Sequence, residues 1–530
     1  MNVDKLSAEP VKEQMMNKSH EPEQVTLTGR IQATPDTLLQ DLLLNPQFTY
    51  ELHHLLNSYI LIEKVQLLEH ERLGLLGREA VVTISAVLDQ ITPETLLANP
   101  QTNMTDIAFA IEQYVEQRVT VEKHCWHIDR SRNDFQACAQ LMFGREQLFT
   151  LAECLLVLAQ AVHQLAEKYV DAVMPGYTHY QAAQVISPGF YLSALSEELL
   201  GTLQRLLQVY DGMNTCPLGA GSMAGQELLW DRERMACLLG FAQAQRHALV
   251  AVASRAWVLQ IAAELSTLAV ALSRFVTDFI AWGSSEYGFI DLPDELASIS
   301  SLMPQKKNFT ILERIRGKLA HMSSFYVDFL LGQRSTAYTN LVEVSKEAGS
   351  YLFSLWHETQ AALQLLTVVI ERMHFREARM MASCEKEYLG GSSIANLLTL
   401  RGKIPYRTAQ VITGRYILLS MEQGRRPTQL DAVLLHTLCQ QYGYEITIAQ
   451  EELQQTGDVD QCLYQKQTAG SANPGAVRIL LARQAEEIGL AQAKWEQRRA
   501  SLEKAYQDVE VLMVTFREEW EREHRAGKTI

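Results

Sequence analysis

Positive charge is scarce in this 530-residue chain: 47 Lys and Arg stand against 62 Asp and Glu, a formal charge of -15. The broad basic footprint of a nucleic-acid binder is therefore missing, and any anionic ligand has to be held by a local cationic pocket. Cysteine is equally thin. Its eight residues, from Cys125 to Cys462, are scattered and form no C-x-x-C pair. That excludes a disulfide scaffold and a zinc ribbon and fits a reducing, cytoplasmic setting. The first thirty residues lack the apolar core of a signal peptide, and no stretch reaches ~18 uninterrupted apolar residues, so no membrane partner is expected. Extended alternation of Val, Ile and Thr punctuated by Asn-Gly turns is absent, as is a G-x-G-x-x-G between strand and helix. Neither a metal nor an organic cofactor is expected.

What remains is ordinary globular material, 47% hydrophobic and 21% charged, in a chain long enough for two or three domains. The fourteen prolines leave two long gaps, Pro217 to Pro293 and Pro304 to Pro405. An interior proline costs about 3 kcal/mol in a helix, so such gaps permit long ones. Apolar residues between 191 and 210 recur at three and four, an amphipathic helical period. Between 255 and 278 only Glu264 and Arg274 are charged besides the ends, which predicts a helix apolar around most of its surface, within a run from about 247 to 282. Gly402 and Pro405 mark a helix, a turn and a second helix. Leu502, Tyr506, Val509, Met513, Phe516 and Trp520 step by four and three, an a/d seam of nearly three heptads that suits a terminal helix packed on its own subunit, with a coiled coil as the alternative.

The fold class is mainly α. Five parts are expected: a flexible N-terminal tail at 1–28, an N-terminal helical domain at 29–135, and a central helical-bundle domain with a signature loop at 136–380. A C-terminal helical domain at 381–490 and a charged C-terminal helix at 491–530 follow.

Three segments gather polar groups: Ser131-Arg-Asn-Asp134, Pro175-Gly-Tyr-Thr-His-Tyr-Gln181 and Ser300-Ser-Leu-Met-Pro-Gln-Lys-Lys-Asn308. Singly they are a turn with a solvated charge, a structural histidine and a flexible surface loop. Together, with Glu313, Arg316-Gly317-Lys318, the LGAGSMAG string at 218–225, Asp231-Arg-Glu233 and the GGSS to GRYI stretch, they resemble the fumarase/aspartase superfamily, and most closely argininosuccinate lyases. The resemblance runs with gaps from about 110 to 480.

It implies a three-domain fumarase/aspartase-type fold with a long central helical bundle, a homotetramer, and a carbon-nitrogen lyase. Such an enzyme performs a reversible β-elimination on an N-substituted aspartate, giving fumarate and an amine or amino acid. The chemistry removes a weakly acidic C–H proton beside a carboxylate, so it needs a base, donors aimed at the developing dianion and an acid for the departing nitrogen. By the resemblance Ser300 is the base, Lys306 and Asn308 grip the carboxylate at the reacting centre, and His179, oriented by Glu313, serves the leaving-group side. Thr178, Ser131, Arg132 and Asn133 would position substrate, Arg132 through its planar fork. Tyr338 and Lys346 keep the spacing of a tyrosine and a lysine that contact the amino-acid half of argininosuccinate.

Three departures stand out. Glu343 replaces a glutamine, which favours a more cationic amine portion. Ile299 stands where the family has glycine and Phe309 where it has proline, so the loop geometry is expected to differ. Three readings stay open: an argininosuccinate lyase proper, a relative acting on another N-substituted aspartate, which Glu343 favours, and a non-catalytic homologue of the lens-crystallin kind.

Overall fold

The computed structural model describes residues 30–527 apart from 32 and 351. The expected tail at 1–28 lies outside the described residues. The chain forms two compact units, one built from residues up to 60 with Glu79–Lys123, the other from Leu61–Arg78 with His124–Ile530. Leu61–Arg78 thus belongs with the larger unit.

The smaller unit is helical. Its helix Ile107–Glu116 starts where the Asp106 carboxylate accepts from the Ala108 amide at 3.0 Å, and it buries Ile107, Ala110, Ile111 and Val115 along one face. The helix Leu56–Arg72 (α1) enters the larger unit from residue 61 onward.

Five long helices form the body of the larger unit: Arg132–Lys168 (α2), Pro188–Met213 (α3), Ala256–Trp282 (α4), Thr310–Gln333 (α5) and Leu352–Arg372 (α6). α2 packs on α3 and α6, α4 on α3 and α5, and α5 on α6. At ~1.5 Å per residue α2 is roughly 55 Å long. The periodic stretch at 191–210 falls inside α3, which begins at a Ser187 cap with Pro188 in its first turn. Gly189 is required there, since a Cβ would sit 2.6 Å from the Ala166 carbonyl oxygen of α2.

The expected apolar run at 247–282 is not one helix. A short helix, Ala248–Ala253, ends at Ser254, and α4 begins after Arg255. Arg255 is the cause: its buried guanidinium donates to the carbonyls of Val252 and Ser254 and to Gln140 Oε1, each at 3.0 Å. A charge so placed satisfies the helix-end carbonyls and stops continuation. By length and composition α2 and α4 are both apolar enough to cross a membrane, although polar residues interrupt each; 61% of the apolar window of α2 and 44% of that of α4 are buried among neighbouring helices.

Among the described residues, strands occur only in two-stranded pairs. The largest, Met174–Thr178 (β1) with Gln181–Ile186 (β2), is a hairpin between α2 and α3 that the sequence reading did not anticipate. Farther on, Gly391–Gly402 and Tyr406–Glu422 form the helix-turn-helix, with Lys403 in the left-handed region at the first helix's end. They share a separate core of Ile394, Leu398, Ile412, Tyr416 and Leu438.

Pro474–Gly527 (α7) is a single helix of 54 residues, so the rise in charge near 484–491 lies within it and not at a boundary. It packs on α2 and α3, burying Leu502, Val509 and Met513 of the predicted seam. Leu502 Cδ1 lies where a Cβ on Gly240 would stand, 2.6 Å away. Leu502→Ala is expected to cost about 2–5 kcal/mol, the price of a truncated core leucine, and the exposed Val511→Ala less than about 0.5. The shift of the urea unfolding midpoint measures both.

Candidate active site

The first segment opens α2, and nearly every residue of the turn is tied down. Asp129 is held at φ 59, with its carboxylate accepting from the amides of Glu227 and Leu228 at 2.9 Å and from the Trp230 indole at 3.0 Å. Arg130 forms a bidentate pair with Glu63 of α1; the two side chains are 8% and 1% exposed. Ser131 caps α2, its Oγ accepting from the Asn133 amide at 3.2 Å, and Asn133 Nδ2 donates to the Ser222 carbonyl at 3.0 Å. Arg132 points outward and is exposed.

Asp134, fully buried, completes the turn. One carboxylate oxygen accepts from the amides of Gly219 and Gly221 at 3.0 and 2.9 Å, while the other has no hydrogen-bond partner among the described residues. The glycine loop at 218–225 thus closes on the first turn of α2. Gly221, at φ +62, has room for no Cβ, which would lie 2.5 Å from the Gly225 carbonyl. Burial pushes the Asp134 carboxyl up to about 7, against the opposing pull of the two glycine amides and Arg130.

Two turns along α2, Gln140 Nε2 donates to the Ser345 carbonyl at 2.7 Å. That bond brings the 338–346 segment to the same end of α2. Tyr338 there is 61% exposed, Glu343 lies exposed in the first turn of the short helix Val342–Ser345, and Lys346 follows it, half-buried.

His179 and Tyr180 form the two-residue turn of the β1–β2 hairpin at φ 55 and 59. Such a turn normally takes Asn-Gly, and a left-handed conformation costs about 1–2 kcal/mol per ordinary residue. The strain holds Thr178 and His179 exposed at the rim of a cleft of about 910 Å³. Tyr177, Tyr191, Trp282 and Asp278 also line it, and Tyr191 donates to the Asp278 carboxylate. Burial first and then Asp278 raise the Tyr191 hydroxyl pKa.

The third segment is a loop on a two-residue ladder, Ser298–Ile299 (β3) against Lys307–Asn308 (β4). Ile299 is in extended backbone with its side chain outward, 90% exposed, so this position needs no positive φ of the kind glycine would allow. Phe309 precedes α5 and packs its ring on Gly283, where a Cβ would meet it at 2.8 Å. Lys307 anchors the loop: its ammonium donates to the Leu292 carbonyl at 2.5 Å and pairs with Asp294 at 3.0 Å and Asp291 at 3.4 Å. Lys306 is left exposed. Ser300 Oγ accepts from the Met303 amide at 3.1 Å, and Asn308 Nδ2 donates to the Ser298 carbonyl at 3.4 Å.

Within one chain, then, the 131–133 turn and the 338–346 segment share one end of α2, while the histidine turn and the serine loop lie elsewhere. Among the described residues no hydrogen bond or ion pair joins His179 to Glu313, which is exposed in the first turn of α5. One turn beyond it, Arg316 donates to Thr277 Oγ1 at 3.4 Å, and Thr277 lines the cleft beside His179. Among the described residues no group of three or more His, Cys, Asp or Glu is arranged to hold a metal. The sequence reading missed Glu63, Arg130 and the anchoring part of Asp134. Asp134 had a signal as the last letter of its motif, whereas nothing linear connects Glu63 to residue 130.

A family model described as a lyase matches residues 85–323. The chain is 28% identical over 501 residues to argininosuccinate lyase 1 of Shouchella clausii (strain KSM-K16), covering 94% of this chain and 99% of that one. It is 33% identical over 356 residues to the argininosuccinate lyase of Synechococcus sp. (strain JA-3-3Ab), covering 66% and 72%. Among solved structures, an EDDS lyase in complex with formate superposes with a TM-score of 0.79 at 25% identity, covering 92% of this chain and 96% of that one.

Asp134 gives a signed prediction. Its folded pKa lies above the ordinary value of 3.8, so the stability it contributes is complete below pH 3.8 and is lost as pH rises through about 7. Asp134→Asn cannot titrate. Thermal midpoints taken across pH should therefore show the wild type losing ground to the variant between these limits, with a flat difference above them.

Proposed function

This chain belongs to the fumarase/aspartase superfamily as an argininosuccinate lyase-like carbon-nitrogen lyase, and on that premise we propose how its residues divide the work. The reaction is a reversible β-elimination of an N-substituted aspartate, which yields fumarate and an amine or amino acid. Removing the C–H proton puts a second negative charge on a carboxylate already charged, so the base and the groups receiving that charge decide the rate.

Ser300 is the base in this reading. A serine hydroxyl is weak at neutral pH and needs donors aimed at its oxygen before it can act as an alkoxide. The observation that carries the assignment is the Met303 amide directed at Ser300 Oγ. Lys306, six residues on, supplies the cation for the dianion, and it is available because Lys307 takes the structural contacts. Asn308 adds a neutral donor. His179, with Glu313 to orient it and Thr178 beside it, handles the proton of the leaving nitrogen, while Arg132 and Asn133 hold a substrate carboxylate. Ser131 belongs to the same turn, with its Oγ committed to the helix cap.

The site is shared between subunits in this reading, in a cytoplasmic homotetramer that joins the three segments. Support comes from α4, which has under half of its apolar window buried and Val270 57% exposed within one chain.

Tyr338, Glu343 and Lys346 face the amine portion. A carboxylate at 343 favours an aspartate whose nitrogen carries a further cationic group, such as a diamine adduct. Argininosuccinate itself is the second reading, favoured by similarity to an argininosuccinate lyase along 99% of that protein's length.

Fumarate absorbance tests both. The purified protein is offered argininosuccinate and aspartate adducts of diamines; turnover of the diamine adducts is expected, and efficient turnover of argininosuccinate alone would transfer the assignment to the second reading. Glu343→Gln should shift the preference between the two substrates by about tenfold toward argininosuccinate, near 1.4 kcal/mol. Ser300→Ala should lower kcat on the order of 10²–10⁴-fold with folding and binding kept, while Lys306→Ala damages both steps. Near-normal turnover by Ser300→Ala would remove the base from this scheme.

A further inference from the structure

Along α1, Glu63, Gln66, Glu69 and His70 are no more than 1% exposed, a polar face buried where apolar residues would ordinarily pack. Glu69 accepts from Arg72 Nε at 2.8 Å and from the Asp231 amide at 3.1 Å, and it pairs with Arg234. His70 Nδ1 donates to the Gln66 carbonyl, 2.7 Å away, and the ring sits edge-on to Trp230. At the other end of this face Glu63 holds both terminal nitrogens of Arg130, whose guanidinium also stacks over the Phe135 ring at 4.3 Å and contacts His127 Nδ1 at 3.0 Å.

Such a pair is a poor way to gain stability. Desolvating two charges offsets most of their attraction, and well-packed apolar residues of the same volume commonly do as well or better. What the pair supplies is direction: a forked guanidinium on a forked carboxylate fixes both distance and angle. Arg130 immediately precedes Ser131, Arg132 and Asn133, so its angle sets where the turn projects Arg132.

We propose that Glu63 and Arg130 are positioning residues for substrate binding: their buried bidentate pair fixes the Ser131–Asn133 turn in its binding orientation. The proposal rests on the lyase reading for its consequence in substrate affinity, but not for its consequence in the order of the turn. Lys64, the next residue of α1, pairs with Glu510 at 2.6 Å and so ties the same brace to α7.

The test uses the full-length protein in two forms. Glu63→Gln leaves the Arg130 charge buried without its partner, and the double variant Glu63→Leu/Arg130→Met replaces the pair by apolar side chains that keep the packing. Both should show faster amide hydrogen exchange across 128–135 than the wild type, with exchange in the middle of α2 unchanged. On whichever adduct the wild type converts to fumarate, KM should rise on the order of tenfold to a hundredfold while kcat changes far less. The double variant should regain the wild-type thermal midpoint without regaining KM.

Recovery of KM together with stability in the double variant would make the pair merely structural and overturn the proposal. Unchanged exchange at 128–135 in both variants would overturn it as well, as would faster exchange with unchanged KM. A wild type that releases no fumarate from any adduct would defeat the lyase reading alone; the exchange measurement would still decide whether the pair orders the turn.

Discussion

At the entry to α2 the guanidinium of Arg130 and the carboxylates of Glu63 and Asp134 all lie out of water, within five residues of one another along the chain or across one helix contact. Such groups can be buried so closely only if each is accommodated in place. Arg130 and Glu63 answer each other's charge, while Asp134 is held at one oxygen by two glycine amides and is pushed by burial toward its neutral form. This electrostatic closure determines where α2 begins and where the glycine loop at 218–225 must lie. Through Gln140 it also sets the end of α2 to which the 338–346 segment is attached. The parts of the candidate site that one chain assembles by itself depend on it.

The other parts follow a different rule. In the serine loop and the histidine turn, backbone geometry is fixed while the side chains of Lys306 and His179 are left exposed. Lys307 is committed to Asp291, Asp294 and the Leu292 carbonyl, which frees its neighbour Lys306. His179 and Tyr180 are held in a left-handed turn that the hairpin's ladder imposes, at a conformational cost that an Asn-Gly pair would not incur. Both devices leave polar side chains at the surface, as the proposed subunit-shared site requires.

Residue patterns carried some of this openly and concealed the rest. The three-and-four spacing at 191–210 and along 502–520 was legible because one helix face is buried in each case and periodicity records it. The break between Ala248–Ala253 and α4 was not, since Arg255 in a linear reading is one charge at a helix end, and only its three-way contact with Gln140, Val252 and Ser254 makes it a terminator. The hairpin escaped because His-Tyr is not a turn pair by propensity. Ile299 and Phe309 looked disruptive against a family pattern, yet an extended strand accepts the first and a glycine at 283 makes space for the second.

Helical periodicity was enough for the mainly helical class, and the order of the three motifs, through their resemblance to argininosuccinate lyases, was enough for the lyase family, because both are recorded in linear spacing. Which of two adjacent lysines is free, which aspartate is buried, and which distant glutamate steadies the arginine before the motif depend on contacts between residues such as 63 and 130 or 134 and 219. Those pairings arise from packing across elements, and a one-dimensional pattern holds no record of them.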